Sequence, residues 1–274
     1  MTKIVHGQPT LDGDGVKLTR IIGTHELNFF DPFLLLDEFK NDKPADYIGG
    51  FPPHPHRGFE TITYMVAGNF THEDSRGNKG HLTSGSVQWM TAGKGIIHSE
   101  MPAQVNGLVW GFQLWLNLPA KLKMTEPKYQ DISAEQIPNI QKDFGSIKII
   151  SGQYENTSGP GKSFTPFTYF DVNLEASSSF TYSVPVDQNT MVYQIDGSSK
   201  FSNDGQNQTL KPYDLGLLSE GTEIKIKSTE KGSRFLFLSA QVINEPVARG
   251  GPFVMNTKTE IMQAFQDYQN GKIG

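Results

Sequence analysis

The sequence contains no cysteine among its 274 residues. Disulfide bonds, thiolate nucleophiles, zinc ribbons and cysteine-held iron–sulfur clusters are therefore excluded. Any metal ion that binds must use nitrogen and oxygen ligands, which histidine, aspartate and glutamate supply.

Long apolar runs and an excess of positive charge are also missing. No stretch approaches the roughly 18 consecutive apolar residues of a membrane span, and no apolar signal segment follows the first lysine. The 24 lysines and arginines are outnumbered by 29 aspartates and glutamates, so direct binding of nucleic acid is not expected. We expect a monomeric, cytoplasmic protein that does not bind membranes.

Phosphate-binding and hydrolase motifs are absent as well. The sequence has no Walker A loop, no G-x-S-x-G motif and no H-E-x-x-H motif. The segment Gly93-Lys94-Gly95 leads to His98 and does not match the dinucleotide-binding pattern G-x-G-x-x-G. It predicts a tight turn that delivers a histidine.

Short apolar segments separated by turn residues dominate what is present. The chain has 28 glycines, 16 prolines and 11% aromatic residues, and residues 17–118 are typical of a β-sandwich or barrel. Strands are predicted over residues 60–66, 86–90 and 109–118, the first of them half-buried because its apolar residues alternate. The polar, glycine-rich residues 74–80 predict a loop.

The second half predicts further strands and one helix. Residues 120–148 connect the halves, residues 156–163 form a loop, and strands continue to about residue 243. A helix is predicted between Thr257 and Asn270, because Thr257 and Glu260 form a capping box and Gly271 can end it. Its apolar face consists of Ile261, Ala264, Phe265 and Tyr268.

The two halves share a spacing pattern. Tyr64, Gly68, Leu82 and Gly93 are separated by 4, 14 and 11 positions. The second half repeats this order with spacings of 4, 13 and 11, at Tyr193, Gly197, Leu210 and Gly221. The pattern predicts two similar β-domains in tandem, which we place at residues 1–135 and 136–274.

All seven histidines lie in the first 98 residues. In an extended chain, residues two apart point to the same face, so His54 and His56 converge, and His98 and Glu100 do the same. Pairing of the two segments would bring three imidazoles and one carboxylate together, a set that binds a divalent transition metal. The alternative is that these residues are hydrogen-bonded side chains at a barrel rim.

Two longer stretches resemble a known family. FPPHPHRGFETITYMVAG and GSVQWMTAGKGIIHSEMP, at residues 51–68 and 85–102, resemble the two cupin motifs. Together with QLWLNLP and RGGPFVMNT, at residues 113–119 and 249–257, they are similar to the pirin family. The resemblance implies an all-β fold of two tandem cupin barrels, which are jelly-roll-like, followed by the short C-terminal helix.

The resemblance also implies a ligand set. Family members hold one iron in the N-terminal barrel, and the matching residues here are His54, His56, His98 and Glu100. We expect Fe(II), although three histidines and a glutamate also suit Mn, Co, Ni, Cu or Zn. Glu60 stands where many cupins place a glutamate ligand, but in pirins that role passes to the glutamate of HSE, so Glu60 is expected to support the strand or the ligands.

The C-terminal half provides an internal control. The positions that match the four ligands are occupied by Ser183, Pro185, Ile226 and Ser228. None carries an imidazole, and no histidine follows His98. The second barrel is therefore expected to be free of metal.

Two functions follow from the resemblance. The first is ring-opening 2,3-dioxygenation of a quercetin-type flavonol by O2, with Glu100 as the catalytic base for a small aromatic substrate. The second is a metal- or redox-dependent regulatory protein that binds a transcription or metabolic partner without turnover. Arg57 follows His56 directly in the sequence. We expect it to form a structural salt bridge; the alternative is that it lies on a partner-binding surface.

The remaining aromatic and histidine residues have simpler interpretations. His72 and His81 flank the polar loop and are expected to be exposed to solvent. Large side chains near the motifs are expected to form the core or a pocket wall: Phe51, Trp89, Met90, Trp110, Phe112 and Trp115.

Overall fold

A computed structural model describes residues 1–203, 206–218 and 221–274. Its regular structure is almost entirely β-strand. The first twelve strands are β1 (Lys3–His6), β2 (Gln8–Asp12), β3 (Val16–Ile22), β4 (Phe33–Asn41), β5 (Phe51–His56), β6 (Phe59–Ala67), β7 (Phe70–Asp74), β8 (Lys79–Leu82), β9 (Val87–Thr91), β10 (Ile96–Pro102), β11 (Val109–Asn117) and β12 (Lys128–Ile132). The others are β13 (Asn139–Lys142), β14 (Gly145–Ser151), β15 (Gln153–Tyr154), β16 (Thr157–Ser158), β17 (Phe167–Leu174), β18 (Ser179–Ser183), β19 (Gln188–Asn203), β20 (Gln206–Leu210), β21 (Asp214–Leu217), β22 (Glu223–Gln241), β23 (Ala248–Gly250) and β24 (Phe253–Met255).

The chain forms two compact units. The first unit comprises Gln8–Ala134 and Ile243–Gly274, and the second comprises Met1–Gly7 and Glu135–Val242. The ends of the chain therefore depart from the predicted domains 1–135 and 136–274. β1 pairs with β21 at one end of the second unit's sheet, and this pairing places the first seven residues in the second unit. The sequence contains no local pattern that indicates this pairing.

The C-terminal segment belongs to the first unit. The backbone N–H of Val254, in the β23–β24 hairpin, donates a hydrogen bond to the Arg57 carbonyl at 3.0 Å. The helix α1 (Lys258–Gln269) packs its buried Ile261 and Ala264 against Phe253 and Met255 of that hairpin. Apolar contacts and backbone hydrogen bonds thus attach residues 243–274 to the first unit, although the sequence predicts them as part of the second domain.

The first unit contains two antiparallel sheets. A seven-stranded sheet has the order β12-β9-β6-β11-β4-β3-β2, and a four-stranded sheet has the order β5-β10-β7-β8. The predicted strands at residues 86–90 and 109–118 are confirmed as β9 and β11. β6 confirms the third, but it is buried on both faces from residue 59 to 65 and not half-buried. β6 lies between β9 and β11 in the sheet, so the polar residues that alternate with its apolar ones are buried and do not face solvent.

Residues 74–80 form a hairpin and not a long loop. β7 extends through Asp74 and β8 begins at Lys79, so that the turn itself covers only residues 75–78. The Asp74 carboxylate accepts hydrogen bonds from the backbone N–H groups of Arg76 and Asn78, at 2.9 and 2.8 Å. This local pairing allows a polar segment to turn tightly.

The second unit has one nine-stranded antiparallel sheet. Its main order is β1-β21-β19-β22-β17-β14-β13, with β18 on β22 and β20 on β19. Most of the predicted loop at residues 156–163 is irregular, although β16 pairs with β15 at its start. The unit has an aromatic core that includes Tyr154, Phe170, Phe180, Phe235 and Phe237.

The predicted C-terminal helix is confirmed, including its cap. The Thr257 hydroxyl accepts from the Glu260 N–H at 3.2 Å, and the Glu260 carboxylate accepts from the Thr257 N–H at 2.8 Å. Gly271 follows the helix with a positive φ of 66°, the conformation in which a glycine ends a helix. No helix in the described residues is long and apolar enough to cross a membrane.

Candidate metal centre

Three histidines converge in the four-stranded sheet of the first unit. β5 pairs antiparallel with β10, so that His54 lies directly opposite His98 and His56 lies opposite Ile96. The ring centroids of the three imidazoles are 4.5–5.1 Å apart, and one ligand atom from each lies within 4.8 Å of the others. The convergence predicted from the i, i+2 spacing is confirmed.

Backbone carbonyls orient two of these rings. The Nδ1 atom of His54 lies 2.8 Å from the Pro52 carbonyl oxygen, and Nδ1 of His56 lies 3.3 Å from the Pro252 carbonyl oxygen. A carbonyl can only accept, so each Nδ1 carries the proton and each Nε2 presents a lone pair. This is the usual outer hydrogen bond of a metal-binding histidine.

The third ring shows that the site suits a metal ion. Both ring nitrogens of His98 are buried and lack a hydrogen-bond partner among the described residues. Leaving a buried polar atom unsatisfied costs about 1–3 kcal/mol, and a metal bond would satisfy one of the two. The donor set of three imidazoles suits a divalent transition metal.

Burial favours the neutral form of His56 and His98. The pKa of His56 is lowered well below 6.5, first by burial and then by the proximity of His54. The pKa of His98 is lowered in the same way by burial and by the neighbouring His56, His54 and His72. Metal binding requires unprotonated imidazole, so these rings are ready to coordinate at neutral pH.

Glu100 lies beside the cluster but is held by another residue. The register between β10 and β5 shifts between His98 and Glu100. The Thr63 hydroxyl donates to Glu100 Oε1 at 2.8 Å. The group of donors within 4.8 Å of one another contains the three imidazoles and not this carboxylate. Coordination by Glu100 therefore stays a prediction.

A cavity of about 690 Å³ opens onto the cluster. His54, His56 and Glu100 line it, whereas His98 is buried, 1% exposed. This volume is within the range of about 300–1,000 Å³ that is typical of small-molecule sites. Its other walls mix aromatic and polar side chains, including Phe51, Thr63, Gln113 and Trp115. The arrangement leaves room for an aromatic ligand next to the histidines.

The cavity wall contains an ion pair that no sequence pattern indicates. Arg20 of β3 lies opposite Asp37 of β4, and its Nε and Nη2 atoms donate to the two carboxylate oxygens at 2.9 and 2.7 Å. Burial raises the pKa of Asp37 to about 6, although Arg20 opposes the shift. Only the strand register brings residues 20 and 37 together, and the sequence carries no local signal of it.

The structure also places the supporting residues. Glu60 is fully buried, and the Thr91 hydroxyl donates to its Oε1 at 2.8 Å, outside the histidine group. Arg57 is 4% exposed and pairs with Asp267 at 2.8 Å, so the structural salt bridge is confirmed. The alternative of a partner contact through Arg57 is not supported.

The expected exposure of His72 is wrong. Its side chain is 1% exposed, because it lies on β7 directly opposite Glu100 and against the ring of Tyr129. His81 is exposed as expected. Phe51 and Trp115 line the cavity wall, while Trp89, Met90 and Phe112 are fully buried. The turn at Gly93-Lys94-Gly95 is confirmed by a backbone hydrogen bond from Gly95 N–H to Ala92 O at 2.9 Å.

The matching positions of the second unit have no metal-binding chemistry. Ser183 and Pro185 are exposed. Ile226 is fully buried in the aromatic core, and the Ser228 hydroxyl donates to the Glu175 carbonyl at 2.6 Å. These side chains pack or cap backbone groups instead of converging as ligands.

Two family models match the chain. Residues 15–116 match the Pirin model, and residues 169–274 match the Pirin C-terminal cupin domain. A pirin-like protein of Caulobacter vibrioides is 47% identical over 273 residues, which cover 98% of this chain and 97% of the relative. The predicted pair of cupin domains is confirmed.

Solved structures agree with this assignment. A quercetin 2,3-dioxygenase of Acinetobacter baumannii is 36% identical, has a TM-score of 0.91, and covers 99% of this chain and 97% of its own. A bacterial pirin of Escherichia coli, solved in complex with nickel(II), shares the fold with a TM-score of 0.69. It is 18% identical and covers 88% of this chain and 99% of its own.

Proposed function

The chain belongs to the pirin family of two-domain cupin proteins, and we propose that it is a metal-dependent 2,3-dioxygenase of quercetin-type flavonols. The observation that carries the proposal is the cavity of about 690 Å³ that opens onto His54, His56 and Glu100. A metal that served only to hold the fold together would not need such a space. The likeness to a quercetin 2,3-dioxygenase of known structure supports the same assignment.

The three histidines would hold one divalent ion, which we take to be Fe(II). When bound, such an ion supplies a Lewis acid toward an enol and a means of activating dioxygen. His54 and His56 offer Nε2, because carbonyl oxygens hold their Nδ1 protons. Pro252 thereby gives the C-terminal segment a direct part in shaping the site.

Glu100 is the proposed base. It lines the cavity, and its Oε1 accepts the hydrogen bond from Thr63. That bond occupies Oε1 and leaves Oε2 to take the proton of the substrate hydroxyl. Trp115 and Phe51 line the cavity and supply aromatic side chains for contact with a planar aromatic ligand.

The test is multiple turnover by the metal-loaded chain. Protein purified without chelator or histidine tag is loaded with Fe(II), and separately with Mn, Co and Ni, then mixed with excess quercetin in air. We expect loss of the flavonol absorbance and release of carbon monoxide over many equivalents per chain. His98→Ala and a chelated sample serve as inactive controls.

Failure of turnover with every metal would overturn the dioxygenase proposal and favour the regulatory alternative. Glu100→Gln tests the base separately, because the amide keeps the shape of the carboxylate but cannot accept the proton. We expect this variant to retain flavonol binding and to lose most of kcat. A Glu100→Gln variant that binds metal and keeps full turnover would remove Glu100 from the mechanism.

A further inference from the structure

Two arginines line the cavity, and they differ in how their charge is balanced. Arg20 donates to both oxygens of Asp37, and its Nη2 also bonds Asp12 at 2.5 Å. Its guanidinium is therefore committed to protein carboxylates. The second arginine, Arg249, also lines the cavity but has a different set of partners.

In the part of the chain that the structure describes, Arg249 is held by neutral backbone groups. Its Nη1 donates to the carbonyl oxygens of Leu34 and Asn28, at 2.9 and 3.3 Å. A guanidinium has five N–H donors, so these bonds fix its orientation, and Nε and Nη2 have no hydrogen-bond partner among the described residues. Among the described residues, Arg249 forms no ion pair with a carboxylate.

Its surroundings disfavour an uncompensated cation. The side chain is half-buried, and its pKa is lowered first by burial and then by the nearby positive charge of Arg20. Asp37 is close enough to act on it, but both oxygens of Asp37 already accept from Arg20. A second anion at this point would be stabilised by the guanidinium that faces it.

An aromatic surface connects this cation with the histidine cluster. The guanidinium carbon of Arg249 lies 5.7 Å from the ring centre of Trp115. The ring of His56 meets the same indole at 5.0 Å between centroids. A planar ligand that lies along Trp115 would therefore approach His56 and Arg249 together.

We propose that Arg249 is a specificity-determining residue that binds a carboxylate, sulfonate or ionised phenol carried by a planar aromatic ligand of this cavity. The inference deepens the proposed function, and it rests on that function for the view that the cavity is a ligand site. It adds that anionic aromatic substrates are preferred over neutral ones of the same shape. Arg249 acts in this through Nε and Nη2, which can grip two oxygens at once.

The test measures binding and needs no turnover. Isothermal titration calorimetry compares 2-naphthoate with 2-naphthamide, which match in ring and size but differ in charge. Both ligands are titrated into metal-free and zinc-loaded protein. We expect naphthoate to bind about tenfold more tightly than naphthamide in both forms, as a charge-assisted hydrogen bond provides.

Variants then locate the preference. In Arg249→Gln the two ligands are expected to bind equally, whereas Arg249→Lys keeps part of the difference. Arg76→Gln is the matched control, because Arg76 pairs with Glu126 and is not part of the cavity wall. Metal content and the thermal midpoint, measured in parallel, show that each variant is folded.

Three results would overturn the inference. Equal affinity for acid and amide in the wild type does so without any variant. A preference that survives Arg249→Gln places the anion elsewhere. A preference that appears only with zinc places the carboxylate on the metal. Because zinc-loaded and metal-free protein are both used, loss of quercetin turnover would leave this result unchanged, so the two proposals fail separately.

Discussion

The two units are built from similar strands but differ in what fills their interiors. In the first unit, the imidazoles of His54 and His56, together with Thr63 and Gln113, line a cavity of about 690 Å³. In the second unit, aromatic rings pack against one another, with Phe180 lying 6.1 Å from Phe235 and 5.9 Å from Phe237 between ring centroids.

This difference separates two tasks within one architecture. Polar side chains that face a cavity contribute little to stability, but they can bind a metal and a ligand. Ile226 of the second unit stands at the position that matches His98 and is buried among apolar side chains. The second unit is therefore expected to contribute stability alone, whereas the first has its own apolar core around Phe39, Met65 and Phe70 and also provides the site for chemistry.

Removing one ligand gives the largest expected effect. His98→Ala leaves two imidazoles, and we expect the affinity for metal to fall by more than ~100-fold. This loss exceeds the one that follows when a residue that hydrogen-bonds a ligand is mutated. Elemental analysis should find about one metal per wild-type chain and almost none in the variant. A variant that retains a full equivalent would disprove the three-histidine site.

The reciprocal change is made in the aromatic core. Phe180→Ala removes a fully buried ring, so we expect the free energy of unfolding to drop by about 3–5 kcal/mol, as for other buried aromatic truncations. Metal content of the folded protein should not change. Urea unfolding and elemental analysis on one preparation check both, and metal loss in this variant would contradict the separation of tasks.

Buried neutral histidines make the metal-free protein sensitive to acid. The pKa values of His56 and His98 are depressed in the folded state, so the unfolded chain binds more protons below about pH 6.5. Their contribution to stability is complete above that pH and is lost as the pH falls.

Between pH 7.5 and 5.5 we expect a loss of about 2–3 kcal/mol from these two groups in chelated protein. Urea unfolding at the two pH values measures this loss. The double variant His56→Gln/His98→Gln should lose that much less over the same interval. An identical pH dependence in wild type and double variant would mean that the imidazoles are not buried as neutral rings.

The smallest expected effect concerns Thr63, whose hydroxyl donates to Glu100 and lies 2.5 Å from Gln113 Oε1. Thr63→Val removes the hydroxyl and keeps the shape. If Glu100 is the fourth ligand, metal affinity should fall about tenfold and recover in Thr63→Ser. Competition with a chromophoric chelator measures both. Equal affinity in all three proteins would contradict a role of the Thr63 hydroxyl in supporting coordination by Glu100.

Local patterns predicted the chemistry of the site better than its surroundings. The i, i+2 histidines needed only extended backbone and one strand pairing, both of which the sequence indicates. The polar residues that follow His72 predict a surface position, whereas the pairing of β7 with β10 buries it against Tyr129.

Residues that approach the site from distant parts of the chain could not be predicted from the sequence. Pro252 hydrogen-bonds His56, and Arg249 joins the cavity wall, although about two hundred residues separate them from β5. The C-terminal segment returns to the first unit, so the helix predicted for the second domain belongs to the first unit. No spacing in the sequence encodes such contacts, which depend on apolar packing of the C-terminal segment.

The proposed function requires that a flavonol reaches the metal through the cavity of the first unit. Anaerobic titration of metal-loaded protein with quercetin, followed by its visible absorption band, tests this claim directly, because oxygen chemistry is excluded. We predict a shifted band that saturates at one equivalent per chain and is absent in His98→Ala and in chelated protein. An unshifted band, or the same shift without metal, would contradict binding of the flavonol at the metal.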